Sequence, residues 1–104
     1  MDATGWVQSP VIRSFADPEA ERVWVGERSR KLPPEIQNRA LAKLRLVNRA
    51  KSLDDLRNPP GNKLHDLTGN RAGQHSISIN RQWRICFRFK DGNAYDVEIV
   101  DYHD

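Results

Sequence analysis

The sequence predicts an α+β fold in which two N-terminal helices pack on one face of an antiparallel sheet of about four to five strands. Helix signals are confined to the first half of the chain. Alternating apolar and polar residues occupy the second half, most strictly at Gln82–Lys90. Because helices come first and strands follow as neighbours along the chain, the strands are expected to form a meander with the helices stacked on it.

The first elements are a strand and a helix. Val11–Phe15 is a short apolar run with β-branched residues and predicts a first strand that can join the sheet. Asp17 follows as an N-cap, with Pro18 and Glu19 suited to a first helical turn, so a helix is expected from here to about Glu27.

The second helix is signalled more clearly. It begins at Pro33-Pro34-Glu35, and its apolar residues fall on one stripe that is expected to face the core: Ile36, Ala40, Leu44 and Val47. Ser52–Leu56 predicts one further helical turn. Prolines and glycine at Asn58–Gly61 then force the chain to change direction.

The second half of the chain reads as strands. Lys63–Leu67 alternates weakly and His75–Ile79 more clearly. Gln82–Lys90 alternates throughout, and Asp91-Gly92-Asn93 predicts a hairpin turn into a last strand at Ala94–Val100. One face of the long strand is apolar, whereas the other is mainly polar and basic and carries Arg84, Cys86, Arg88 and Lys90. If the apolar face contacts the helices, neighbouring strands can bring His65 and His103 to the basic face.

Composition bounds the class of protein. We expect a flexible leader at residues 1–10 and a single domain over residues 11–104. The single Cys86 can form no intramolecular disulfide, and no targeting or membrane-spanning segment is evident, so a cytoplasmic protein is expected. Cys86 and the histidines show no metal-ligand spacing, and Gly69–Gly73 lacks the residues of a nucleotide-hydrolysing loop, so no metal or cofactor is expected.

The positive charge is concentrated rather than large. Lys and Arg total 17 against 14 Asp and Glu, a net charge of +3. Residues 28–51, however, contain eight basic residues and one acidic residue, Glu35. Such a region can follow a phosphate backbone, and a solvated helix face is the alternative.

The candidate chemistry is cleavage of RNA by its own 2′-hydroxyl. That reaction needs a base, an acid and a cation for the charge on the phosphate oxygens, and imidazole and guanidinium groups suit these roles. The candidates are His65 and His103 for proton transfer and Arg84 for charge stabilisation. Tyr102 can stack on a base or position the scissile phosphate, and Asp101 can orient an imidazole. Arg71 and Arg81 can hold flanking phosphates. The alternative is that Tyr102 is a half-buried anchor and His103 a solvated tail residue.

Several segments together resemble the HigB toxins of the RelE superfamily. They are Val11–Phe15, Pro59–Leu64, Gly69–Ile77, Gln82–Phe87 and Val97–His103. The resemblance implies a compact microbial RNase-like fold and ribosome-dependent cleavage of mRNA in the A site. It also implies inhibition by a HigA-type antitoxin with a helix-turn-helix domain, and binding of operator DNA by the toxin–antitoxin complex.

The resemblance also assigns residues. It places the catalytic residues at His65, Arg84, Asp101, Tyr102 and His103. Thr68 replaces a basic residue of the family, and Lys63 or Arg71 is the candidate substitute for that phosphate contact. His75 replaces an aromatic residue found in some members, which could change nucleotide stacking or add a proton donor.

Three functions follow as hypotheses from different classes. The leading one is an mRNA endonuclease that docks on ribosomal RNA through Arg39, Arg45 and Arg49. The second is a toxin of the same superfamily that binds a protein target, as the gyrase poisons do, and cleaves nothing. The third is an RNA-binding module whose basic helix alone carries the activity.

Overall fold

The computed structural model describes residues 11–102 and has the predicted α+β architecture. Helix α1 spans Pro18–Trp24 and α2 spans Pro34–Arg49. The strands are β1 (His65–Asp66), β2 (His75–Ser78), β3 (Trp83–Lys90) and β4 (Asn93–Asp101), and they form one antiparallel sheet in chain order. The predicted leader and His103 lie outside the described residues, so those two predictions stay open.

Helix α1 is shorter than predicted. The Asp17 carboxylate accepts a hydrogen bond from the Ala20 amide at 2.7 Å, as expected of an N-cap. The helix ends at Trp24 rather than near Glu27, because Gly26 adopts a positive φ of 86° that turns the chain out of the helix.

The predicted first strand is only partly confirmed. Within the described residues Val11–Phe15 forms no continuous ladder, but it runs parallel to β4 through isolated bridges from Ile12 to Ala94 and from Phe15 to Val97. The side chain of Asn48 on α2 satisfies the amides of Val11 and Ile12 at 3.0 and 3.1 Å. The segment therefore makes hydrogen bonds to both β4 and α2.

A one-residue bulge interrupts the pairing of β3 with β4. Cys86 pairs with Glu98, but the next resolved pair joins Arg88 to Tyr95, which leaves one extra residue in β4. Asp96 takes the strained conformation, with φ at 54°, and its amide donates to the Ser14 hydroxyl at 2.9 Å. The bulge shifts the alternation of β4, so that Ala94, Val97 and Ile99 are all buried.

The hydrophobic core lies between the helices and one face of the sheet. The predicted stripe of α2 is confirmed, because all four of its members are buried: Ile36, Ala40, Leu44 and Val47. The sheet contributes Ile77, Ile85, Phe87 and Val97, each fully buried. The polar side chains of β3 consequently lie on the face away from the helices.

Truncation of the central core residue of α2 should be costly. Leu44→Ala leaves a cavity at a site with 0% exposure, so we expect a loss of about 2 to 5 kcal/mol in the free energy of unfolding, measured by urea denaturation. Arg45→Gln on the exposed side of the same helix is the matched control and should change stability by no more than about 0.5 kcal/mol. Equal losses in the two variants would contradict this assignment of the core.

Candidate active site

One residue from each strand lines up across the sheet face that points away from the helices. His65 pairs with Ser76, Ser76 with Cys86, and Cys86 with Glu98. We call these four residues the cross-strand row. Its two middle members are small and fully buried, whereas His65 is exposed and the Glu98 side chain keeps 24% of its surface accessible. The strip of sheet face along this row, which we call the trough, has an accessible polar group at each end and a middle that neighbouring side chains cover.

Arg84 lies over the floor of this trough. Its Nη1 donates to the Ser76 hydroxyl at 3.2 Å, and its guanidinium carbon is 5.5 Å from the centroid of the Tyr102 ring. The Tyr102 amide is tied to the Gln82 carbonyl oxygen at 2.7 Å, which fixes the aromatic ring at the end of β4. The structure thus brings together two of the predicted catalytic residues, and a guanidinium has donors left for a phosphate.

Arg71 is held against the other end of the row. Its Nη1 donates to Glu98 Oε2 at 3.3 Å and to Gln74 Oε1 at 3.0 Å. The hydrogen bond to Glu98 raises the pKa of Arg71, against the opposing effect of burial. Much of the Arg71 charge is therefore compensated within the protein, which weakens its predicted role as a phosphate ligand.

Glu98 was missing from the sequence-based set of site residues. Strand β4 carries the bulge, so simple alternation from its buried Ala94 places Glu98 on the wrong face. The available signal was a carboxylate inside the apolar run Val97–Val100. An ionisable residue in such a run faces either water or a site.

Cys86 forms part of the floor and is fully buried. Burial raises the pKa of its thiol, while Arg71 and Arg84 lower it and Glu98 raises it further. These three charged groups therefore all influence the Cys86 thiol. A thiol that is buried and kept protonated is a poor nucleophile, so the position of Cys86 suits packing rather than catalysis.

His75 lies on the opposite side of the sheet from Arg84. Its ring centroid is 6.0 Å from that of the buried Phe87, and its Nδ1 is 2.7 Å from Oδ1 of Asp66. The effect of His75 on nucleotide stacking or proton donation stays a prediction, and from this position His75 does not lie beside Arg84. His75 instead pairs with Asp66 across β1 and β2, next to His65.

A basic cavity of about 400 Å³ adjoins the trough. It combines Arg84 with three of the predicted RNA-binding residues: Arg39, Lys63 and Arg81. Arg45 and Arg49 lie on the exposed surface of α2 and do not line it. The basic residues of α2 therefore lie on two different surfaces, one lining the basic cavity and one facing solvent. The sequence did not reveal this division.

Lys43 is a member of the basic cavity that the predicted site omitted. Its Nζ donates to Asn62 Oδ1 at 2.5 Å, and burial together with the nearby Arg39 lowers its pKa. Asn62 is fully buried, and its amide nitrogen donates to the carbonyl oxygens of Leu56 and Asn58 at 3.1 Å each. One buried asparagine therefore connects α2 to the turn that precedes Lys63.

The remaining predicted residues have simpler surroundings. His65 Nδ1 is 3.4 Å from the Lys63 carbonyl oxygen. Asp101 Oδ2 accepts a hydrogen bond from Gln82 Nε2 at 3.1 Å. In the described part of the chain no three His, Cys, Asp or Glu side chains are grouped so as to hold a metal ion, and no helix is long and apolar enough to cross a membrane.

Comparison with known proteins assigns the family. Residues 13–103 match the family described as RelE-like toxin of type II toxin-antitoxin system HigB. Toxin HigB-1 of Vibrio cholerae is 41% identical over 68 residues, which cover 65% of this chain and 72% of the relative. Endoribonuclease HigB of Proteus vulgaris is 36% identical over 72 residues, covering 69% and 77%. The chain therefore belongs to the HigB-like family of RelE-like toxins of type II toxin–antitoxin systems.

Proposed function

We propose that this toxin is an endoribonuclease that cleaves mRNA in the ribosomal A site and thereby inhibits translation and growth. The observation that carries the proposal is Arg84, held between Ser76 and Tyr102 over the cross-strand row and beside the basic cavity. The identity of 36% to a Proteus vulgaris protein named Endoribonuclease HigB supports the same reaction.

The proposed chemistry is a transesterification. The 2′-oxygen attacks the adjacent phosphorus, the bond to the 5′-oxygen breaks, and the products are a 2′,3′-cyclic phosphate and a 5′-hydroxyl. Arg84 stabilises the charge on the phosphate oxygens, and His65 and His103 supply protonatable groups. Tyr102 stacks on a base, and Asp101 orients an imidazole. The scheme needs no metal ion.

The basic cavity is the proposed path for the message. Arg39, Lys43, Lys63 and Arg81 bring four cations to one side of Arg84, so phosphates flanking the cleaved bond can be neutralised there. Arg45 and Arg49 face solvent elsewhere on α2 and are assigned to docking on ribosomal RNA. The two surfaces give the toxin separate contacts with the message and with the ribosome.

Membership in a type II toxin–antitoxin family implies an antitoxin partner. We propose that this partner is of the HigA type with a helix-turn-helix domain, and that only the complex binds operator DNA. Both the message and the ribosome are cytoplasmic, so the toxin is assigned to the cytoplasm.

Primer extension on a reporter mRNA in a translation reaction tests the activity. Wild-type protein should produce cuts only when ribosomes are present. Because one guanidinium and one imidazole are removed, the double variant Arg84→Ala, His103→Ala should lower the cleavage rate by roughly 100-fold or more. Arg57→Gln is the matched control, since Arg57 is exposed and pairs only locally with Asp54.

The other outcomes of this experiment separate the alternatives. Translation arrest without cuts, unchanged in the double variant, would place the protein among toxins that bind a protein target. Equal cutting of free RNA would remove the dependence on the ribosome. Full activity in the double variant would void the assigned site.

Removal of the cavity charges should weaken RNA binding in a salt-dependent way. We expect the triple variant Arg39→Gln, Lys63→Gln, Arg81→Gln to reduce the slope of log K against log salt by roughly 2, at about 0.7 per lost phosphate contact. The measurement is fluorescence anisotropy with a short single-stranded RNA, in a His103→Ala background that prevents cleavage.

The matched control for that experiment is Arg45→Gln, Arg49→Gln, which lies on the same helix but outside the basic cavity. It should leave the slope for short RNA unchanged and weaken ribosome binding. If both sets of substitutions change the slope equally, the basic cavity is not the path of the message.

A further inference from the structure

We infer that Glu98 is a catalytic residue whose carboxylate accepts the proton of the 2′-hydroxyl, and that Arg71 is its positioning residue. The inference rests on the proposed function, because it names the base of the same reaction. It concerns the pair formed by Arg71 and Glu98 at one end of the cross-strand row.

Glu98 and His65 lie at opposite ends of the cross-strand row. The two residues occupy the outer strands of the row, three strand spacings apart, which is roughly 14 Å between backbones. The two residues of the row between them, Ser76 and Cys86, are small and buried, whereas the side chains at both ends are accessible to a ligand that lies over the row. In an in-line displacement the attacking and leaving oxygens are on opposite sides of phosphorus. A base and an acid at opposite ends of the row match that requirement.

The cation of the site, the Arg84 guanidinium, lies between the two ends of the row. Arg84 contacts Ser76, which is the neighbour of His65 in the row. Its guanidinium therefore lies between the two ends, where the phosphate must sit if both end groups are to reach it. Arg71 and Arg84 lower the pKa of the buried Cys86 thiol and Glu98 raises it, so all three charges lie in its neighbourhood.

The Glu98 side chain is held by Arg71 but is still accessible to a ligand. Arg71 contacts Oε2 at 3.3 Å, and the Glu98 side chain keeps 24% of its surface exposed. A carboxylate accepts hydrogen bonds at both oxygens, so Oε1 can take a proton while Oε2 stays anchored. Gln74 holds the same Arg71 nitrogen at 3.0 Å and fixes the pair from the other side.

The β-bulge in β4 determines the direction of the Glu98 side chain. Glu98 reaches the trough because the bulge at Asp96 reverses the alternation of β4, and Ser14 caps the bulge. A regular strand that buried Ala94 would direct Glu98 toward the helices. A positive φ at a non-glycine residue costs conformational energy, so the conformation of Asp96 beside the row favours a role in placing Glu98.

The reaction balances with these groups. Glu98 takes the 2′-hydroxyl proton as the 2′-oxygen bonds to phosphorus. The bond from phosphorus to the 5′-oxygen breaks, and that oxygen takes a proton from protonated His65. The products are the cyclic phosphate and the 5′-hydroxyl, and exchange with water returns the proton from Glu98 and restores that of His65.

The test uses ribosomes programmed with an mRNA in which sulfur replaces the 5′-oxygen of the cleaved bond. A thiolate leaves without a proton, so this substrate compensates for loss of the acid but not for loss of the base. Single-turnover cleavage rates at saturating ribosome concentration are compared for wild type, Glu98→Gln, His65→Ala and Arg71→Gln, with thermal denaturation to verify folding.

We expect Glu98→Gln to lose roughly 100-fold or more on both substrates. His65→Ala should lose a similar factor on the oxygen substrate and recover on the sulfur substrate. Arg71→Gln should lose less than Glu98→Gln, and its rate should follow the same substrate pattern, because it acts through the same carboxylate. Glu98→Asp, which keeps the carboxylate on a shorter side chain, should retain more activity than Glu98→Gln.

Two results would overturn the inference while leaving the proposed function intact. One is a Glu98→Gln protein that folds and cuts at the wild-type rate. The other is a Glu98→Gln defect that disappears on the sulfur substrate, which would place Glu98 on the leaving-group side. If wild-type protein cuts neither substrate, the proposed function fails and this inference fails with it.

Discussion

The register between β3 and β4 is the constraint on which the rest of the structure depends. It pairs Cys86 with Glu98 and then shifts by one residue at the bulge, where β4 has two residues opposite the single Phe87 of β3. This arrangement lets β4 bury Ala94 and Val97 in the core while Glu98 faces the other side. Both the packing of the helices and the composition of the trough follow from a single backbone irregularity, which the Ser14 hydroxyl and the parallel N-terminal segment stabilise.

The chemistry of the trough follows from side-chain size and charge together. Ser76 and Cys86 are small and fully buried, and Arg84 lies over Ser76 while staying partly exposed. The excess of cations continues into the basic cavity through Lys63 and Arg81. A polyanion can therefore be bound along the cavity and brought over the trough, where the protonatable groups lie.

Patterning predicted the regular parts of this fold well, because burial imposes a strict period on them. The long strand at Gln82–Lys90 and the stripe of α2 were both recognisable, and so was the placement of Arg84 on the sheet face away from the helices. The hairpin was also predicted, and its Asp91 and Gly92 have the positive φ angles that a two-residue turn requires.

The remaining features depend on contacts between distant segments. The alternation of apolar and polar residues does not reveal the bulge, so Glu98 was missed. The contacts of Val11–Phe15 with both β4 and α2 were likewise not visible in the sequence, so the segment was predicted as a simple strand. The pairing of His75 with Phe87, which puts His75 on the core side of the sheet, depends on strand register and was not predicted. Lys43 was missed because its importance comes from Asn62, a residue 19 positions away. The catalytic assignments themselves stay predictions, and His103 lies outside the described residues.

The central claim is that RNA is cut on this sheet face by attack of its own 2′-hydroxyl. The most direct measurement is the chemistry of the new 5′ end on mRNA fragments recovered from programmed ribosomes, determined by whether a polynucleotide kinase labels them without prior phosphatase treatment. The account predicts 5′-hydroxyl ends that are labelled directly, with cyclic phosphate on the upstream fragment. Ends that carry a 5′-phosphate, with a 3′-hydroxyl upstream, would show that water rather than the 2′-oxygen attacks phosphorus and would contradict the account.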